Sequence, residues 1–141
     1  MPLDFLPIQS IIMKNQFALK QLISKVTTTL MPMAGNRCSF FINDVSPDIQ
    51  LLTDQDILAS VVSELLQTAL RQTENDCIRI SAAIDHELVL LNVHENGYCP
   101  SSEMTRRIRL IQPLLASIGG SIVVAGHHRE GHDLAFRFLS N

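Results

Sequence analysis

The chain has 141 residues, 46% of them hydrophobic, and a formal net charge of −3. That is one domain's worth of sequence with enough apolar material for a core, which excludes a disordered chain. No basic block is present, so a nucleic-acid partner is not expected. Three widely spaced cysteines, Cys38, Cys77 and Cys99, point to reduced thiols of an intracellular protein and not to a disulfide framework. No apolar run is long enough to span a membrane, and the N-terminus has no basic segment of the signal-peptide kind, so a cytoplasmic location is expected.

Residues 1–14 (MPLDFLPIQSIIMK) form an apolar arm punctuated by Pro2 and Pro7. That is more apolar surface than a free tail tolerates, so the arm is expected to pack on a partner or to build a homodimer. The domain proper is placed at residues 15–141. Asn15 offers an N-cap, and Leu19, Leu22, Ile23, Val26 and Leu30 follow at helical spacing, which predicts a helix from Asn15 to Leu30 ended by Pro32, Gly35 and Asn36. Cys38–Ile42 is a short predicted strand, and NDVSPD a turn-rich connector.

The stretch Thr53–Thr73 predicts a second helix, capped by Thr53 with Asp56 in the capping-box position. Ile57, Leu58, Val61, Val62, Leu65, Leu66, Ala69 and Leu70 form a wide stripe that must bury against something large, a sheet by preference. Glu64 and Thr68, one turn apart, point the same way; by helix pattern alone they are the solvated edge. Two strands follow, Cys77–Ile84 and Leu88–Val93, joined as a hairpin by Asp85–His86–Glu87.

After the loop HENGYCPSS, Ser101 or Ser102 caps a third helix with Met104, Ile108, Ile111, Leu114 and Leu115 on its apolar face and Gly119–Gly120 at its end. Ser121–Ala125 is a strand, GHHREGHD a turn holding His127, His128 and His132, and Leu134–Leu139 the last strand. The three histidines lack the cysteine or carboxylate spacing of a zinc site, and a solvated hairpin loop is the preferred reading. Three helices and about five strands predict an α/β fold, a two-layer sandwich with the helices on one face of a mixed sheet.

Four stretches in this order resemble the ATP-binding domain of the gyrase, Hsp90, histidine kinase and MutL superfamily. SELLQTALRQT is similar to the family's first box, VHENGYC to its Asp-x-Gly-x-Gly box, IGGSIVVAG to its glycine–strand transition, and EGHDLAFRFL to its closing strand. The resemblance covers residues 15–139 and implies the Bergerat-type ATP-binding fold. It also implies a nucleotide pocket lined by Glu64, Thr68, Glu95 and Gly97. Thr68 stands where the family has the Asn that holds Mg²⁺, Glu64 where ATP-hydrolysing branches polarise the attacking water, and Glu95 where an Asp accepts from the adenine amino group.

The departures weigh against ATP. The second glycine of the box is Cys99, followed by Pro100, where a glycine-only backbone is usual. Only Pro100, Ser101 and Ser102 separate Cys99 from the third helix, so the family's lid and its glycine-rich phosphate cradle are missing. Arg106, Arg107 and Arg109 near the helix start are read as a solvated face or a partner surface. Residues 1–14 are too short for the helical hairpin that carries a kinase's phosphorylated His. The resemblance therefore implies a degenerate histidine-kinase-type domain in two-component phosphorelay signalling. ATP and Mg²⁺ are expected to bind weakly or not at all, and a response regulator or kinase is the expected partner. The alternatives are a working kinase catalytic domain, with Glu64 catalytic, and a relic of a histidine phosphotransferase.

Overall fold

The computed structural model describes residues 14–71, 73–95, 101–128 and 131–140. Their order is β1 (Lys14–Ala18), α1 (Leu19–Asn36), β2 (Phe40–Asn43), β3 (Gln50–Asp54), α2 (Gln55–Arg71), β4 (Cys77–Asp85), β5 (Leu88–Glu95), α3 (Ser101–Ser117), β6 (Ser121–His128) and β7 (Gly131–Leu139). Five strands form a mixed sheet in the order β2-β4-β5-β7-β6, with β2 parallel to β4 and the other pairs antiparallel. The helices pack side by side, α1 on α2 on α3, with α1 against β2, α2 against β4 and β5, and α3 against β6. This is the expected two-layer α/β sandwich.

Strand alternation builds the core. Ile78 and Ile80 of β4, Val89, Leu91 and Val93 of β5, and Leu134, Phe136 and Phe138 of β7 are buried on the face under the helices. Leu58, Val61, Val62, Leu65, Leu66, Ala69 and Leu70 of α2 meet them, the stripe the helical period predicts. On α3 Ile111 and Leu115 are buried, as is Ile118 just past its end, whereas Leu114, expected on the same face, is 38% exposed. It lies with Leu110 on a neighbouring stripe, four residues apart.

Several boundaries differ from expectation. Asn15 is no cap: residues 14–18 pair antiparallel with β3, Phe17 opposite Leu51, and α1 begins at Leu19, whose N–H donates to the Ile49 carbonyl at 3.1 Å. Helix α1 also runs through Pro32 to Asn36. Its last turn holds because Ala34 is buried and its carbonyl accepts from the N–H groups of both Arg37 and Ser39. The predicted strand 38–42 begins later, at Phe40, because Cys38 takes a left-handed φ of 54° in the turn. Thr53 lies in β3, and Asp54 is the residue that caps α2, its Oδ1 accepting from the N–H groups of Asp56 (3.0 Å) and Ile57 (3.1 Å).

The end of α3 follows the glycine signal. Gly119 has φ +72°, and the Gly120 N–H donates to the Leu115 carbonyl at 2.8 Å, the six-to-one bond of a glycine-terminated helix. The expected turn GHHREGHD is mostly strand: β6 runs to His128 and β7 begins at Gly131, with His127 opposite His132. The apolar arm falls almost wholly on residues outside the described set, as does the loop of the glycine box after Glu95.

Candidate functional site

The candidate site collects where the C-terminal half of α2 meets the end of β5. Thr68 flanks the buried stripe and is 3% exposed, so the solvated-edge reading fails for it. A buried hydroxyl needs an acceptor, and Thr68 Oγ1 donates to the Glu64 carbonyl one turn back at 2.9 Å. The Glu64 side chain is half-buried and points elsewhere. With Val26, Thr29, Ser60, Ser63 and Leu114 it lines a groove of about 370 Å³ between the three helices, which neither Thr68 nor Glu95 borders.

Glu95 is the last residue of β5, paired with Ile78 of β4 and His132 of β7. The strand's alternation turns its side chain to the helix side, where it is 4% exposed. There Thr73, 1% exposed just beyond α2, meets it: the hydroxyl lies 3.0 Å from Glu95 Oε2 and 2.8 Å from the Ala69 carbonyl, its one proton shared between the two acceptors. The Thr73 carbonyl is itself held, accepting from Arg37 Nε at 2.9 Å and from the Ser39 hydroxyl at 3.4 Å. Arg37 Nη2 donates to the Arg71 carbonyl at 3.0 Å, so one guanidinium caps the end of α2 and ties it to the turn after α1.

Thr68 and Glu95 thus converge on the last turn of α2, Glu64 lies apart on the groove, and Gly97 is outside the described residues. Sequence reasoning missed Thr73, Arg37 and Ser39. A Thr four residues after Ala69 at a helix end is a signal for back-bonding to the helix carbonyl. Nothing local announces Arg37, which reaches 34 and 36 residues along the chain.

Arg106 and Arg109 are exposed on α3, in keeping with a solvated or partner-facing stripe. Cys38 and Cys77 are free thiols, and Cys99 lies outside the described residues. Among the described residues no group of three or more His, Cys, Asp or Glu is placed to hold a metal ion, and no helix is long and apolar enough to cross a membrane.

The Arg37 clamp carries a prediction. Arg37→Ala removes two guanidinium bonds to carbonyls, one half-buried and one exposed, together with an exposed pairing to Glu74 at 3.6 Å. Bonds to a charged donor are worth about 1.5–3 kcal/mol each when buried, and the exposed ion pair adds little. A loss of about 1.5 kcal/mol is expected in urea unfolding. An unchanged midpoint would mean that the clamp is ornamental.

The fold has clear counterparts among solved structures. The histidine kinase AdeS of Acinetobacter baumannii superposes with a TM-score of 0.80 at 12% identity, over 91% of this chain and 68% of that one. The catalytic domain of the histidine kinase ThkA, in a nucleotide-free form, superposes at 0.78 with 19% identity, over 90% of this chain and 96% of that one. ThkA in complex with the response regulator TrrA gives 0.77 at 18% identity, over 91% of this chain and 42% of that one. No protein-family model and no curated protein matches the chain. The chain therefore has the fold of histidine kinase catalytic domains, the Bergerat-type architecture that the four sequence stretches resemble.

Proposed function

We propose that this is a degenerate histidine-kinase-type domain that serves two-component signalling through protein contacts and binds ATP–Mg²⁺ weakly or not at all. The observation that carries the reading is the state of Glu95. At the position where the resemblance puts the adenine acceptor, the carboxyl is 4% exposed and already accepts from Thr73. Thr68, in the Mg²⁺-ligand position, is equally buried and donates back to its own helix. A triphosphate brings about four negative charges that need donors and a cation, and leaving such charge unpaired in a protein is very costly. The sequence has no glycine-rich cradle to supply those donors.

A response regulator, or a kinase that phosphorylates one, is the proposed partner; the likeness to ThkA, solved with its regulator, supports this choice. The apolar arm 1–14 is proposed to meet that partner, with the exposed arginines of α3 offering a second contact.

Thermal unfolding with ATP, ADP and a non-hydrolysable ATP analogue, each with and without Mg²⁺, tests the reading. A ligand at a hundredfold its Kd stabilises the folded state by about 2.7 kcal/mol, a shift of several degrees in a domain of this size. No shift is expected at millimolar nucleotide. A Mg²⁺-dependent shift that vanishes in Glu95→Ala would instead establish a working pocket lined by Glu64, Thr68, Glu95 and Gly97, and a kinase catalytic domain.

A further inference from the structure

The face of the sheet turned away from the helices is divided into rows by the strand register. Asp85, Leu88 and Leu139 form one row across β4, β5 and β7, and Ala83, Leu90 and Arg137 form the next. The following rows are more polar: Ser81, Asn92 and Ala135, then Arg79 beside His94, with Arg79 paired to Asp44. Phe40 of the edge strand β2, opposite Cys77 and 56% exposed, lies at the far end of this face, whereas three leucines gather at the near end, where Leu88, Leu90 and Leu139 are 38%, 41% and 41% exposed. With Ala83, the two β5 leucines line a shallow groove of about 230 Å³ bordered by Asp85 and Arg137.

Charge placement distinguishes this patch from scattered surface leucines. Strand β5 lies between β4 and β7, so Asp85 and Arg137 stand on opposite sides of Leu88 and Leu90. Arg137 Nε donates to the Ser121 hydroxyl at 3.3 Å, an exposed neutral contact that leaves the guanidinium without a carboxylate among the described residues. Asp85 is 87% exposed, its Oδ1 2.7 Å from Nδ1 of the equally exposed His86. One cation and one anion flanking an apolar centre make a surface that is complementary to itself under a two-fold rotation. An axis lying along the face and passing between Leu88 and Leu90 stacks the leucines on their own copies. It also sets each Arg137 opposite Asp85 of the partner subunit.

We propose that this end of the outer sheet face docks a second copy of the chain, with Leu88 and Leu90 at the centre and two Arg137–Asp85 pairs at the rim. Three partly exposed leucines make a small apolar centre beside the ~800 Å² per partner that a standard interface buries, so the dimer is expected to be weak, and protein concentrations from about 1 to 500 µM are the range to search. The surface lies at the other end of β5 from Glu95, and the inference does not depend on whether nucleotide binds.

Sedimentation of the full chain over concentrations spanning that range is the test. The mass should rise from monomer to dimer. Leu90→Glu should weaken the dimer about tenfold or more, since it buries a carboxylate at the centre. Arg137→Asp should weaken it about fivefold by setting like charges face to face, and the swap Asp85→Arg with Arg137→Asp should restore most of that loss. Leu88→Lys replaces Leu90→Glu if the latter melts early, and the melting temperature of every variant confirms folding. A monomer at every concentration overturns the proposal. So does a dimer indifferent to Leu90→Glu and Leu88→Lys, a dimer lost only on deleting residues 1–13, or a double swap no better than Arg137→Asp alone.

Discussion

Replacing Phe136 with alanine is expected to cost about 3–5 kcal/mol of folding stability. The ring is fully buried on the helix side of β7, its centroid 6.0 Å from that of Phe138 at an interplanar angle of 29°. Its register neighbours are Leu91 on β5 and Ile122 on β6, so it fills the middle of the sheet where three strands meet. Its loss removes the transfer energy of a whole ring and leaves a cavity that strands on both sides cannot close. Domains of this size hold only about 5–15 kcal/mol in total. The melting temperature should therefore fall by about 10 °C, and the urea midpoint should drop with an unchanged slope. A cost below about 1.5 kcal/mol would mean that the β5-β7-β6 core is packed differently from the arrangement described above.

Thr73→Val is expected to cost about 2–3 kcal/mol although it conserves side-chain volume. The substitution removes the hydroxyl whose one proton is shared between Glu95 Oε2 and the Ala69 carbonyl, and all three groups lie in the interior. A hydrogen bond to an ionisable carboxyl is worth about 1.5–3 kcal/mol, and deleting one partner leaves the buried carboxyl short of a donor. Thr73→Ser keeps the hydroxyl and should stay within about 1 kcal/mol of the parent. The pair separates a polar tie from simple packing: equal losses in Val and Ser would show that the hydroxyl contributes nothing. Under the proposed function neither variant responds to ATP. A nucleotide response that changed in Thr73→Val would mean that Thr73 orients Glu95 toward a ligand.

Glu95 shows how much of a residue's setting lies outside its own stretch of sequence. An acid at the end of an apolar strand, followed by Asn96 and Gly97, is what the family's box leads one to expect. The strand's parity sends that acid beneath the end of α2, and Thr73 is waiting there because α2 stops at Arg71. Whether Glu95 reads a base or holds a helix end depends on that neighbour, 22 residues away in the chain.

Periodicity alone determined the helices α1, α2 and α3, the β4–β5 hairpin, the closing strand and the glycine stop after α3. In most of these, the apolar spacing of a single segment already matches the face it buries, with Leu114 of α3 the exception, and the glycine stop is read from the glycine pair itself. The two-layer architecture followed from their order. Only the tertiary structure decided that residues 14–18 are strand, because β1 is held by β3, its partner from residue 50 onward. It alone moved the cap of α2 to Asp54, carried α1 through Pro32, and drew His127 and His132 into paired strands. It also decided the site: the burial of Thr68, the turning of Glu64 onto a separate groove, and the Arg37–Thr73–Glu95 chain of bonds all depend on α1, α2 and β5 being packed together. Hydrophobic period is a local property of the chain. Hydrogen-bond partners and the facing of a polar side chain are set by what the fold brings beside it.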